Sequence, residues 1–205
     1  DFLPDAMAVR RHIERAWASA AICHGYEEID GPTFEHLGLY TIKSGEGIVS
    51  ELFSFTRAGG DDQYAMRPEF TPTLARMAAH QGRALAVPTK WFAMPTLFRA
   101  ERPQRGRLRE HNQWNVDCIG LPGPDADAEV IAVAVTALRM LGLTEADIRV
   151  RISHRGVAAA MLKSLGVHDD ARAGVARRAA GVGARARRHA HVCARGACLL
   201  YTSPR

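Results

Sequence analysis

Apolar residues recur at helical spacing from Pro4 to about Ala21, where Val9, Ile13, Ala16, Trp17 and Ala20 fall on one stripe. The spacing predicts an amphipathic helix that stops at Gly25. A short extended piece over YEEIDGP follows and ends at Pro32, whose missing N–H cannot continue a ladder. In SELFSFT (50–56), Leu52, Phe53 and Phe55 alternate with polar residues, and AGGDD then QYAMR come next. That order predicts a β-hairpin. Thr71-Pro72 predicts a helix entry, with the Thr71 hydroxyl as N-cap, Pro72 at the first helical position and a stop near Gly82. KWFAMPTLFRAE and RLREHNQWNVDCIG, joined by RPQRG, predict a long hairpin. Asp125 or Asp127 is expected to cap a helix over AEVIAVAVTALRML that ends at Gly142. IRVRIS (148–153) alternates as a strand, and GVAAAMLKSL follows as a helix ended by Gly166. Strands and helices mix without strict βαβ alternation, so the expected class is α+β, an antiparallel sheet flanked by helices.

The pattern stops near residue 171. Most of residues 171–198 are Ala, Gly or Arg, with no apolar period and no aromatic. A low-complexity arm is one reading. A stretch outside the native reading frame is the other, favoured because the loss of pattern is abrupt. Either predicts no packed structure, so the expected organisation is one domain over 1–170 and a disordered or non-native tail over 171–205. HAHVCARGAC (189–198) has His and Cys only at loosely metal-like spacing, and no metal site is expected from it.

Charge changes the picture little. The net +5 divides unevenly: residues 171–205 carry eight Arg and no acid, whereas residues 1–170 are net −3. The basic balance belongs to the tail and gives no reason to infer nucleic-acid binding by the body. No run of eighteen apolar residues suggests a membrane span. DFLPDAMAVRRHIERAW has no signal-peptide apolar region and no initiator Met, so residues upstream are expected. Four cysteines without a CxxC pair fit a reducing, cytoplasmic setting. Cys23 and Cys118 are expected to be small packed residues, Trp17 and Trp114 to be core, and His24, His36, His80 and His154 to be surface or cap residues.

The candidate chemistry lies in RAERPQRGRLRE (99–110), which places Arg99, Arg102, Arg105, Arg107 and Arg109 within eleven residues. Side chains alternate faces along a strand. On the second arm Arg107, Arg109, His111, Gln113, Asn115 and Asp117 share one face, and Leu108, Trp114, Val116 and Cys118 share the other. On the first arm Arg99 and Glu101 share a face. A solvated outer face gives a similar alternation. Against it, the row has Arg and no Lys, and Arg suits bidentate contact with phosphate or carboxylate. The row also grades from guanidinium through amide to carboxylate, which suits a ligand with an anionic end and a cationic end. In MRPEFTP (66–72), Glu69 precedes a helix. It is either a residue favoured by the helix dipole or a carboxylate for a substrate ammonium, and the sequence leaves both open.

MRPEFTPTLAR, FRAERPQRGRLREHNQWNVD and the opening DFLP resemble the catalytic domain of the histidyl-tRNA synthetases, which are class II aminoacyl-tRNA synthetases. EIDGPTFE (28–35) is similar to motif 1, at the family's homodimer interface, and FRAERPQRGRLRE to motif 2, its ATP-binding hairpin. KSGEGIVSELFSF and IRVRISHRG also fit, so the resemblance covers roughly residues 1–170. FR-x-E is shared across class II, whereas ERPQ-x-GR-x-RE following RPE-x-T is specific to the histidyl branch.

The resemblance implies ATP-dependent activation of histidine, with Mg²⁺, and transfer to tRNA(His). It implies that Arg99 contacts the ATP α-phosphate and the substrate carboxylate and is the catalytic residue. Glu101 would lie at the adenine end, Arg107 would hold the γ-phosphate and His111 would stack on adenine. Glu69, Thr71 and Gln113 would bind the histidine α-amino group, and Asp117 would face the imidazole. Two positions depart from the family pattern: His111 stands where Phe is usual, and Asp117 where Glu is common. The family's later Gly-rich ATP motif, histidine-specific loop and anticodon domain have no counterpart, so a truncated and inactive piece is expected. The regulatory subunit of ATP phosphoribosyltransferase, which resembles these synthetases without charging tRNA, is the alternative. The intact ERPQ loop and Glu69 favour the enzyme.

Overall fold

Proline and glycine punctuate the first helix, α1 (Pro4–Cys23). Pro4 starts it without a side-chain cap, and Gly25 ends it at φ +76°, where Gly25 N–H and Tyr26 N–H donate to Ile22 O and Ala21 O. In the computed structural model, residues 1–44, 46–100, 108–165, 189–194 and 197–202 are described. The packed part of the α1 stripe is its C-terminal half, where Ala16, Ala20 and Ala21 are buried; Val9, expected on that stripe, is exposed. Glu14 is buried beside them and accepts from Arg10 Nε at 2.8 Å and Arg11 Nη1 at 2.6 Å. Burial raises its pKa and the two guanidiniums lower it, and the arginines prevail.

The chain divides into two units, residues 1–121 and 122–205. Two three-stranded sheets organise the first. One has β4 (Gln63–Met66) at its centre, antiparallel to β2 (Phe34–His36) and to β3 (Ser54–Thr56). The β3–β4 hairpin is the one expected from SELFSFT. Its inner face carries Ala65, which packs with Tyr40 and Leu52. Tyr40 comes from α2 (Leu37–Ser44), and a short 3₁₀ helix, Glu46–Glu51, leads to Leu52. The outer face carries Phe34, Phe55, Tyr64 and His36, whose rings lie 4.8 to 5.8 Å apart.

The second sheet is the expected long hairpin plus one short strand. β5 (Thr89–Ala93) pairs antiparallel with β8 (Asn115–Ile119), and β1 (Glu27–Glu28) lies parallel to β5. Beyond the Met94-Pro95 bend, β6 (Thr96–Phe98) pairs with β7 (Glu110–Asn112) in unchanged register: Ala93 faces Asn115 and Thr96 faces Asn112. Pro95 explains the interruption. It cannot donate to the ladder, yet its carbonyl still accepts from Gln113 N–H at 3.1 Å.

α3 (Thr71–Gln81) packs on this hairpin through Phe70 and Leu74, which bury Ala93 together with Ile29, Trp91 and Ile119. The helix begins one residue earlier than the sequence suggests. Phe70 is its N-cap with helical backbone angles, and Thr71 is its first residue and makes no capping hydrogen bond. Trp17 stacks on Trp114 across the other side of the hairpin, centroids 5.7 Å apart and planes 4° from parallel. Cys23, expected to be packed, is exposed at the end of α1.

In the second unit α4 (Pro124–Met140) starts at Pro124 after Gly123, earlier than the expected cap at Asp125 or Asp127. Those two aspartates sit in its first turn, where the helix dipole favours them. β9 (Val150–His154) and α5 (Arg155–Ser164) follow as expected, and Gly166 lies outside the described residues. Residues 171–188 also lie outside them. β10 (His189–Ala194) and β11 (Ala197–Thr202) form an antiparallel pair, with β11 against β9, where no packed strand is expected from the sequence. The Leu199-Leu200-Tyr201-Thr202 run has the β-forming composition that the preceding Ala/Gly/Arg stretch lacks.

Gly31 makes a close approach to α3: a Cβ there would overlap Thr73 Cγ2, with Phe70 and Met77 just behind. Gly31→Ala is expected to destabilise the fold by about 1–3 kcal/mol, read from urea unfolding midpoints at unchanged slope.

Candidate functional site

A cavity of about 240 Å³ opens where the RPE segment meets the arginine hairpin, lined by Glu51, Pro68, Glu69 and Arg99. Three local arrangements place these residues. Arg99 continues the hairpin ladder, its N–H donating to Arg109 O at 2.8 Å, and its Nε donates to Pro68 O at 3.0 Å. Glu69 is half-buried, between Pro68 and the start of α3. Glu51 ends the 3₁₀ helix, and its carbonyl accepts from Ala100 N–H at 2.9 Å. Hydrogen bonds to backbone carbonyls, one from the Arg99 side chain and one from Ala100 N–H, thus tie both neighbouring walls to the base of the hairpin. The described lining carries two carboxylates and one guanidinium, suited to a ligand with both an anionic and a cationic group.

Arg67 holds the RPE segment from below. It is 5% exposed; its Nε donates to Thr96 O at 2.9 Å, and its Nη1 to Asp30 Oδ1 at 2.9 Å and Gly31 O at 2.8 Å. Its guanidinium also lies over the Phe70 ring, 5.8 Å from the centroid.

The remaining expected site residues distribute unevenly. Gln113 and Asp117 are half-buried on β8 and the turn before it, opposite Pro95 and Trp91, and His111 is half-buried opposite Leu97. They share the hairpin face with Arg99, but none of them is among the described residues that line the cavity. Thr71 is exposed at the start of α3 and is also not among them. Glu101 and Arg107 lie outside the described residues. Glu51 is the lining residue that sequence reasoning missed; it stands in no motif spacing with Glu69 or Arg99, and only its place in KSGEGIVSELFSF pointed near it.

The hairpin face itself differs from expectation. Register sets Trp91, Ala93, Pro95 and Leu97 beside Asp117, Asn115, Gln113 and His111, so the polar row shares its face with an apolar strip of which Trp91 and Ala93 pack with Phe70 and Leu74. The opposite face is covered as well, with Phe92 buried and Trp114 on Trp17. Such two-sided burial is not that of a solvated ribbon. Leu108, expected on the packed face, is exposed.

An α+β core whose antiparallel hairpin brings an arginine to a cavity beside an RPE-led helix has the architecture of a class II aminoacyl-tRNA synthetase catalytic core. A family model described as histidyl-tRNA synthetase matches residues 1–182, and the chain belongs to that family. A histidine–tRNA ligase from Opitutus terrae is 44% identical over 169 residues, 82% of this chain and 38% of the relative. The chain therefore spans about two fifths of the length of the curated relatives it matches. Among solved structures, one described as an ATP phosphoribosyltransferase regulatory subunit/histidyl-tRNA synthetase from Bacillus halodurans superposes with a TM-score of 0.71 at 29% identity, covering 87% of this chain and 45% of that one. The histidyl-tRNA synthetase of Nostoc shares the fold at a TM-score of 0.72 and 20% identity, covering 83% of this chain and 39% of that one.

Tyr40 is buried behind the RPE segment. Burial pushes its hydroxyl up to about 12, helped by the charges of Glu35 and Glu69 and opposed by Thr73 and Arg67. Below roughly pH 10 the phenol is neutral in both folded and unfolded chains; above it the unfolded chain ionises first. Stability is expected to fall as pH rises from roughly 10 to about 12, and Tyr40→Phe to flatten that fall. Alkaline unfolding curves of the two proteins check it.

Proposed function

We propose that this chain carries the amino-acid-activating part of a histidine–tRNA ligase, which forms histidyl-adenylate from histidine and ATP and passes the histidyl group to tRNA(His). The observation that carries the reading is the cavity shared by Glu69 and Arg99. In it the Arg99 guanidinium takes the histidine carboxylate and the ATP α-phosphate, and the Glu69 carboxylate takes the α-ammonium; Thr71 and Gln113, outside the described lining, are the further partners of that ammonium. Asp117 faces the imidazole from farther along the same hairpin face. Glu101 and Arg107 hold the adenine end and the γ-phosphate, and His111 stacks on adenine.

The carboxylate oxygen of histidine then attacks the α-phosphorus in line and pyrophosphate leaves. The chain supplies alignment and fixed positive charge, and no side-chain nucleophile is needed. Mg²⁺ would offset charge on the phosphates. Among the described residues no group of three or more metal-ligating side chains occurs.

Residues 1–170 then form part of the catalytic domain, and the segment after them returns to it through β11, which pairs with β9. No helix among the described residues is long and apolar enough to cross a membrane, and a cytoplasmic setting suits four cysteines that form no CxxC pair. The outer face of the β2–β4–β3 sheet supports a homodimer through the segment near 28–35. Phe34 is 50% exposed and Phe55 43% exposed within one aromatic cluster, an apolar patch that a second copy would cover. Phe34→Glu is expected to shift the protein from dimer to monomer in sedimentation velocity.

Isotopic pyrophosphate–ATP exchange by the full-length enzyme carrying this chain is expected with histidine alone, and Arg99→Gln is expected to lower it by about a hundredfold or more. The relative from Bacillus halodurans, whose description joins both activities, supports one rival: a regulatory subunit of ATP phosphoribosyltransferase. Histidine binding without exchange would favour that rival, and exchange with another amino acid would overturn the histidine assignment.

A further inference from the structure

We propose that Glu51 is a second substrate-binding carboxylate, sharing the α-ammonium of the amino acid with Glu69; the inference rests on the amino-acid-binding reading of the cavity.

Position supports it first. Glu51 lines the cavity with Glu69 and Arg99, although it comes from a different part of the chain. Two anchors hold it there. The next residue, Leu52, is 6% exposed in the cluster with Tyr40 and Ala65. Its own carbonyl accepts from Ala100 N–H, the residue directly after Arg99. A shift of Glu51 would therefore break a core contact or a backbone bond at the start of the arginine loop.

Charge and valence supply the rest. An α-ammonium has three N–H donors, and one carboxylate leaves some of them to water or to neutral acceptors. Two carboxylates in one cavity satisfy more of them with charge-assisted bonds. Without a cationic ligand, Glu51 and Glu69 add like charges to a cavity that holds one guanidinium among its described lining. An α-ammonium offsets that excess while the substrate carboxylate occupies Arg99. The pair thus selects α-amino acids over deaminated analogues at the same cavity.

The test compares wild type, Glu51→Gln and Glu51→Asp in titrations with histidine, with histidinol, which keeps the amine and lacks the carboxylate, and with imidazolepropionate, which keeps the carboxylate and lacks the amine. Glu51→Gln is expected to weaken histidine and histidinol about tenfold and to leave imidazolepropionate unchanged. Glu51→Asp is expected to recover part of the loss. Equal weakening of both analogues would show a structural role and overturn the proposal, as would unchanged histidinol binding. If wild type binds no histidine, the functional reading itself fails; if wild type binds it and Glu51→Gln binds every ligand equally well, only the role of Glu51 fails.

Discussion

A single buried guanidinium ties together separate segments of the first unit. Arg67 must find acceptors for its donors away from water, and it finds them on two distant segments, Asp30-Gly31 and Thr96. Its backbone adds two more ties, N–H to Thr33 O at 3.0 Å and carbonyl from Phe98 N–H at 2.9 Å. A buried Arg stripped of such partners is strongly unfavourable, so these bonds form together or the segments do not dock. The segment resembling motif 1, the arginine hairpin and the start of α3 therefore meet around one side chain. Glu69 stands two residues from it, and the wall of the cavity inherits its position from that knot.

Much of this fold was legible wherever local chemistry and periodicity agreed. Gly25, Gly82 and Gly142 end helices, each at positive φ, and alternation located both hairpins. Residues 34–44 and 46–51 were not legible. They form β2, α2 and the 3₁₀ helix, three elements too short for a period to show, and their order is set by pairing with β4 and by burial of Tyr40. The α3 boundary moved because Phe70 adopts helical angles while its ring packs against Leu74 and Ala93. Val9 failed as a core residue because the helix stripe extends past the surface that covers it.

The candidate site was legible only in the residues that one hairpin and one adjoining turn bring to the cavity. Arg99 and Glu69 come from such compact patterns, and they do share a cavity. Alternation alone gave the polar row of the second arm but not its neighbours, because the first arm's contribution depends on cross-strand register. That register brings Trp91, Ala93 and Leu97 onto the same face and makes it a boundary between core and cavity. Glu51 was invisible for a different reason: only tertiary packing of the 3₁₀ helix against Ala100 brings it to the wall.

The paired indoles of Trp17 and Trp114 give the molecule an optical signature of its own. Near-parallel rings at 5.7 Å are close enough for their strong indole transitions to couple, with a far-ultraviolet dichroic signal whose sign and size follow the angle between the two transition dipoles in those planes. Only docking of the first helix onto the ribbon creates that pair. Its appearance during refolding would time the moment when the chain's opening segment closes over the hairpin arm that bears Gln113 and Asp117.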